Sequence, residues 1–172
     1  MCKEMLLEWG DGFRQKMCGL CVTELGQGMR GSMLDCLLEV WRASVRASHR
    51  FLTEEEIGRL VPQAEEALLH ISTLWVVQDG SSPVGFMGVQ ERKIEMLFLH
   101  PDYFRMGLGK VLVQRAFREL DVEFVDVNEQ NPDATRFYER MGFRVFKRNE
   151  RDSEGNPYPI LEMRRMGAMG SE

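Results

Sequence analysis

Two glycines separated by a single residue, Gly107 and Gly109, stand between two cations, Arg105 and Lys110. At the mouth of a helix this pattern holds an anion. The first helical turn carries backbone N–H groups with no intrahelical partner, and glycine lets a ligand approach them closely. The helix dipole adds partial positive charge at that spot, and Arg105 and Lys110 add whole charges. A phosphate group is the expected occupant; a glycine-softened surface turn is the plain alternative. Neither of the two common nucleotide cradles fits. A P-loop has four residues between its glycines and continues Gly-Lys-Ser/Thr, whereas Val111 follows Lys110 here. A dinucleotide-binding fingerprint needs Gly or Ala three places after its second glycine, where this chain has Leu112.

The cradle needs a strand in front of it and a helix behind it. Ile94 to Leu99 is an apolar run that reads as a buried strand, and Pro101 ends it. Leu108, Leu112, Ala116 and Leu120 recur at fourfold spacing with Val113 and Phe117 beside them, which predicts an amphipathic helix. Upstream, Leu20 to Leu25 predicts a strand and the Gly26, Gly28, Gly31 cluster a loop. Ser32 is the expected N-cap of a helix whose stripe is Met33, Leu34, Leu37, Leu38, Trp41 and Val45. Thr53 followed by Glu56 is a capping-box signature for a second helix toward Leu69, interrupted or kinked at Pro62. Leu74 to Gln78 and Val84 to Val89 predict a hairpin. Phe124 to Val127 is a further strand, and a helix from Asn131 or Asp133 ends at Gly142. Phe143 to Phe146 and Pro159 to Met163 close the chain as two strands.

The order is β-αα-βββ-α-β-α-ββ. Consecutive hairpins argue for antiparallel pairing, and the strand–helix–strand over 94–127 argues for one parallel crossover. The expected fold is α+β in α/β/α layers, a mixed and mostly antiparallel central sheet flanked by helices. Residues 1–18 read as an N-terminal extension, 19–166 as one domain and 167–172 as a tail.

The chain has 172 residues, of which 44% are hydrophobic and 28% charged, with a formal charge of −5. This profile fits one soluble globular domain with an ordinary core. There is no basic stripe interleaved with aromatics, so nucleic acid is not an expected partner. No apolar run is long enough to span a membrane and no signal segment opens the chain, so a cytoplasmic protein is expected. Cys18 and Cys21 form a lone C-x-x-C with no second pair and no histidine partner nearby. No metal is expected there, and reduced thiols are the default.

The stretch around Gly107 and Gly109 resembles motif A of the GNAT superfamily of acyl-CoA-dependent N-acetyltransferases. That motif is commonly Gln/Arg-x-x-Gly-x-Gly/Ala after a strand ending near a proline. Phe104 stands where the family usually has Gln or Arg, with Arg105 one place later. The run from Val127 to Phe143 resembles motif B: an Asn, a short spacer, Ala134, then Phe137-Tyr138 and, after three residues, Gly142-Phe143. Val127-Asn128-Glu129-Gln130-Asn131, His49-Arg50-Phe51-Leu52 and Pro157-Tyr158-Pro159 are similar to segments of the YjaB-like branch. The resemblance covers about Gly31 to Met163.

The resemblance implies an N-acetyltransferase that moves an acetyl group from acetyl-CoA to a primary amine by direct attack. The acceptor would be a small-molecule or peptide amine, and the protein a monomer or homodimer. Leu97, Phe98 and Leu99 would supply backbone contacts to the thioester, including a donor for its oxyanion. Arg105, Met106, Gly107, Leu108, Gly109 and Lys110 would hold the pyrophosphate, and Asn128 and Asn131 the pantetheine. Tyr138 stands where the family places the general acid; a phenol is protonated at neutral pH and can protonate the departing thiolate. Glu95 is the candidate general base, expected on the strand face shared by Leu97 and Leu99. His49 and His100 are alternatives. His49, Phe51 and Tyr158 are candidate acceptor-pocket residues. Plain structural readings stand beside these: Tyr138 as a core aromatic, Asn128 as a strand end, Asn131 as a helix cap, Glu95 as a solvent-facing carboxylate. The different-class alternative is an acyl-CoA-binding sensor without efficient transfer.

Overall fold

The structure is a computed structural model and describes residues 19–153 and 155–167. The expected N-terminal extension, Cys18 and residues 168–172 lie outside the described residues. The elements are β1 (Leu20–Glu24), α1 (Gln27–Ser48), α2 (Glu54–His70), β2 (Thr73–Asp79), β3 (Ser82–Gln90), β4 (Lys93–Leu99), α3 (Leu108–Glu119), β5 (Phe124–Asn128), α4 (Pro132–Arg140), β6 (Phe143–Asn149) and β7 (Ile160–Arg165), with a single 3-10 turn at Pro101–Tyr103. The strands form one seven-stranded sheet in the order β1-β2-β3-β4-β5-β7-β6. Every adjacent pair is antiparallel except β4 and β5. The fold is the expected α+β arrangement.

Two cores lie on the two faces of the sheet. On one face Leu37, Trp41 and Val45 of α1 and Ile57 and Leu68 of α2 pack against Leu74, Val76, Phe86 and Met96. On the other, Leu108, Leu112 and Ala116 of α3 and Tyr138 of α4 pack against Val89, Ile94, Val125 and Val127. Burial of these side chains is the main favourable term holding the layers together.

Two local expectations are corrected. The glycine cluster is not a loop: α1 begins at Gln27 with Gly26 as N-cap, so Ser32 lies inside the helix. The cause is Arg30, which is 2% exposed. Its guanidinium donates to the carbonyl oxygens of Leu25, Leu68, Leu69, Ile71 and Ser72. This ties the first turn of α1 to the otherwise unsatisfied carbonyls at the end of α2. Pro62 does not interrupt α2 either. The carbonyl that a residue at 62 would have bonded belongs to exposed Gly58 and can turn to solvent. Buried Ile57, Ala64 and Leu68 lie on both sides of the proline and hold the helix to the sheet. The capping box at Thr53 forms as expected, with Glu56 N–H donating to Thr53 Oγ1 and Thr53 N–H to Glu56 Oε2.

Candidate active site

β4 and β5 share only two parallel rungs, Lys93↔Phe124 and Ile94↔Val125. Beyond them both strands continue, β4 bonded to β3 on its outer side and β5 to β7. The sheet therefore splits into a V, and from Glu95 onward no described strand pairs with the inner edge of β4. The closed end is clamped by Glu123, 3% exposed, whose carboxylate pairs with Arg92 at 2.7 Å and Arg164 at 2.5 Å. Its backbone N–H donates to Arg92 O at 2.7 Å.

The cradle sits at the open end. After the 3-10 turn the chain passes Arg105 at φ 61 and Gly107 at φ 86, both left-handed. Gly107 is the N-cap of α3 and no side chain caps it, so the first N–H groups of the helix face outward. Arg105 and Lys110 are exposed, and neither forms an ion pair among the described residues. Gly109 answers a packing need that its motif does not reveal: a Cβ there would lie 3.2 Å from Phe137 Cζ, where α4 crosses the start of α3. Of the expected binding residues, Leu108 is core, 1% exposed, and offers only its backbone.

Asn131 is 7% exposed and caps α4, accepting from Ala134 N–H at 3.2 Å. Asn128 Oδ1 accepts from Gln130 N–H at 2.8 Å and holds the turn between β5 and α4. Tyr138 is 7% exposed, with its ring 5.0 Å from Phe137 and 5.6 Å from Phe143. Burial pushes its phenol well above the ordinary value, so the hydroxyl keeps its proton. No described residue hydrogen-bonds that hydroxyl, which leaves it free to donate.

On the opposite face of the V a cavity of about 350 Å³ opens between α1, α2 and the β6–β7 loop, with Trp41, Val45, Leu60, Ala64 and Phe98 among its walls. Glu95, Asn128, His49, Phe51 and Tyr158 all line it. The His49, Phe51 and Tyr158 rings run in series, with centroids 5.6 and 5.8 Å apart. The Tyr158 hydroxyl donates to Glu56 Oε1 at 3.1 Å, so the β6–β7 loop is fastened to the start of α2. Burial pushes the His49 imidazole below its ordinary value, which keeps it neutral near pH 7. His100 instead serves the 3-10 turn, accepting from Asp102 N–H, and is not part of the cavity.

The expected face for Glu95 is corrected. In the pairing of β4 with β3, Ile94 meets Val89 and Met96 meets Gly88, so Glu95 is a bulge residue. The extra residue shifts the alternation. Leu97 and Leu99 pack in the α3/α4 core, while Glu95 lines the cavity on the other face with Met96 and Phe98. Two neighbours escaped sequence reasoning. Lys93 Nζ lies 2.6 Å from Asp126 Oδ2 and 3.4 Å from Glu95 Oε2. Burial works against the Lys93 charge, but the two carboxylates outweigh it and raise its pKa. Their signal was the polar alternation of Lys93 and Glu95 with Ile94, and of Asp126 and Asn128 with Val127. The cysteines also differ from expectation at one position: Cys21 is disulfide-bonded, while Cys36 is free and exposed.

A mixed sheet split after two parallel rungs, with a glycine-opened helix N-terminus at one side of the gap and an aromatic cavity at the other, defines an acyl-CoA-dependent transferase of GNAT architecture. The Acetyltransferase (GNAT) domain family model matches residues 49–164, and the chain belongs to that family. It is 39% identical over 135 residues to the peptidyl-lysine N-acetyltransferase YjaB of Salmonella typhimurium, covering 74% of this chain and 88% of the relative. The solution structure of apo YjaB from Escherichia coli superposes with a TM-score of 0.75 at 34% identity, covering 87% of this chain and 99% of that one. The PaiA N-acetyltransferase of Thermoplasma acidophilum, solved with coenzyme A, shares the fold at a TM-score of 0.63 and 22% identity, covering 83% and 97%. The chain is an N-acetyltransferase with acetyl-CoA as acyl donor and an amine as acceptor. The relatives favour transfer and lend nothing to the sensor alternative. No helix among the described residues is long and apolar enough to cross a membrane.

Proposed function

We propose that this enzyme acetylates the side-chain amine of lysine in peptides or proteins, and that the donor and the acceptor enter from opposite faces of the V. The observation that carries the reading is the cavity on the α1/α2 face, which ends at Glu95 and at the unpaired edge of β4. Its aliphatic and aromatic walls suit the methylene stem of a lysine, and a carboxylate at its end suits an ammonium. The curated relatives named for peptidyl-lysine transfer support the same acceptor.

The donor's pyrophosphate rests against the N–H groups of α3, with Arg105 and Lys110 beside it. Backbone N–H groups within Leu97–Leu99 receive the oxyanion that develops at the thioester carbonyl. Backbone provides most of this grip, so Phe104 in place of Gln or Arg removes only one side chain. Glu95 takes the proton of the incoming ammonium, and the neutral amine attacks the carbonyl carbon. Asn131 holds the pantetheine where its capping bond leaves hydrogen-bonding capacity; Asn128, which lines the acceptor cavity, meets it only where donor and acceptor converge. As the tetrahedral adduct collapses, the C–S bond breaks and the thiolate takes the proton of Tyr138, which burial holds in its protonated form. The acetylated nitrogen sheds its second proton, and the phenolate is reprotonated in turn.

Initial rates with lysine-containing peptides and with small amines, read by thiol release, test the acceptor. The reading expects kcat/KM at least tenfold higher for the peptides. Equal rates with small amines of similar length would contradict the peptide assignment.

A further inference from the structure

We propose that Lys93 and Asp126 are a positioning pair for Glu95: Asp126 draws the Lys93 ammonium aside, so that Glu95 keeps an oxygen free for the acceptor's proton. The proposal deepens the reading of Glu95 as base and rests on it. The three side chains gather where the V begins, Lys93 on the last shared rungs and Asp126 just past them on β5. The ammonium sits 2.6 Å from Asp126 and 3.4 Å from Glu95, so Asp126 is its closer partner. Glu95 reaches the cavity, with 38% of its side chain exposed. A closer contact with Lys93 would occupy the oxygen the amine needs and weaken the base.

Other charges near the pair do not displace it. Glu162 of β7 stands opposite Asp126, but Lys147 holds it at 2.8 Å and Asn149 at 2.5 Å. Across the cavity the titratable linings are His49, Tyr158 and Asp152. Burial lowers the charge preference of Lys93, yet Asp126 and Glu95 more than restore it, so it remains cationic. In the step itself only a proton moves: the acceptor ammonium loses it to the Glu95 carboxylate, and Glu95 passes it to solvent before the next turnover.

The test is a cycle of Lys93→Met, Asp126→Asn and the double variant, with kcat/KM against pH for a lysine peptide and thermal unfolding of each protein. Asp126→Asn releases Lys93 onto Glu95; kcat/KM should fall about tenfold and the acid limb should move to lower pH. Lys93→Met removes the cation; the acid limb should move to higher pH. The double variant should recover most of the loss seen in Asp126→Asn, a coupling that a merely structural role does not produce. Asp126→Glu should behave within about twofold of the natural enzyme, since a carboxylate is kept. An unchanged kcat/KM in Asp126→Asn, no recovery in the double variant, or limbs moving in one direction would overturn the pair. Should Asp126→Asn not fold, Lys93→Met decides alone: a limb at the natural position overturns the proposal. Glu95→Gln separates the underlying reading. Full activity in that variant removes Glu95 as base and the pair with it, whereas a hundredfold loss without coupling in the cycle leaves the base standing and removes only the pair.

Discussion

The two faces of the split sheet are built by opposite means. On the α3/α4 face one continuous stretch, from β4 through the 3-10 turn to the first turn of α3, presents the cradle, and it does so mainly with backbone. On the α1/α2 face the cavity is assembled from side chains far apart in the chain: Trp41, Phe51, Leu60, Glu95, Asn128 and Tyr158. A site made of backbone tolerates side-chain change, Phe104 included. A site made of side chains changes with each of them, so acceptor choice is the property expected to vary.

The strongest way to sharpen this contrast is Tyr138→Phe, which leaves the ring packing against Phe137 and Phe143 in place. Turnover should fall about a hundredfold or more while acetyl-CoA affinity by titration changes less than about twofold. Unchanged turnover would return Tyr138 to a core role. Next comes Gly109→Val, whose added atoms meet Phe137 at the α3/α4 crossing. It should lower stability by about 1–3 kcal/mol and weaken the donor site, seen as a drop in the unfolding midpoint and a raised KM for acetyl-CoA. A variant with both values intact would mean the crossing can relax.

A smaller effect is expected at His49. Burial lowers its folded-state pKa below the ordinary value, so between about 6.5 and that lower value the unfolded chain binds a proton that the folded chain does not. Stability contributed by the neutral ring is therefore complete above pH 6.5 and lost as pH falls. His49→Gln should flatten the decline of the unfolding midpoint between pH 7.5 and 5.5, and an unaltered slope would assign that decline to other groups. The smallest effect belongs to Tyr158→Phe. Its hydrogen bond to Glu56 is partly solvent-exposed, so its loss should cost about 0.5–1 kcal/mol and loosen the β6–β7 loop, measurable as faster amide exchange there. No change in exchange would mean the bond does not fasten the loop.

The same contrast explains what was legible in the sequence. Element order, the capping box at Thr53, the Asn131 cap and the Gly142 stop are local signals, and the structure has all of them. Where long-range contacts govern, local reading fails. Arg30 draws the glycine cluster into α1 through carbonyls about forty residues away. Pro62 stays helical because buried neighbours on both sides hold it. Glu95 turns to the cavity because a bulge against β3 displaces the alternation by one, and nothing in the run of residues 94–99 announces a bulge. Its companions Lys93 and Asp126 lie outside the bulge, and their polar alternation was visible, but nothing local to either strand shows that the two strands bring them together. Of the candidate site, His49, Phe51 and Tyr158 were named from the resemblance and line one cavity, whereas Glu95 was read onto the other face and joins them through the bulge.

The separation of the two sides is most directly tested by crossed steady-state kinetics on one variant from each. Arg105→Ala combined with Lys110→Ala should raise KM for acetyl-CoA about tenfold and leave KM for the lysine peptide within about twofold. Phe51→Ala should do the reverse, by a similar factor for an aromatic wall residue. That crossed pattern is the predicted result. Either variant raising both constants together, or Phe51→Ala acting on acetyl-CoA alone, would contradict a donor side and an acceptor side held apart by the split sheet.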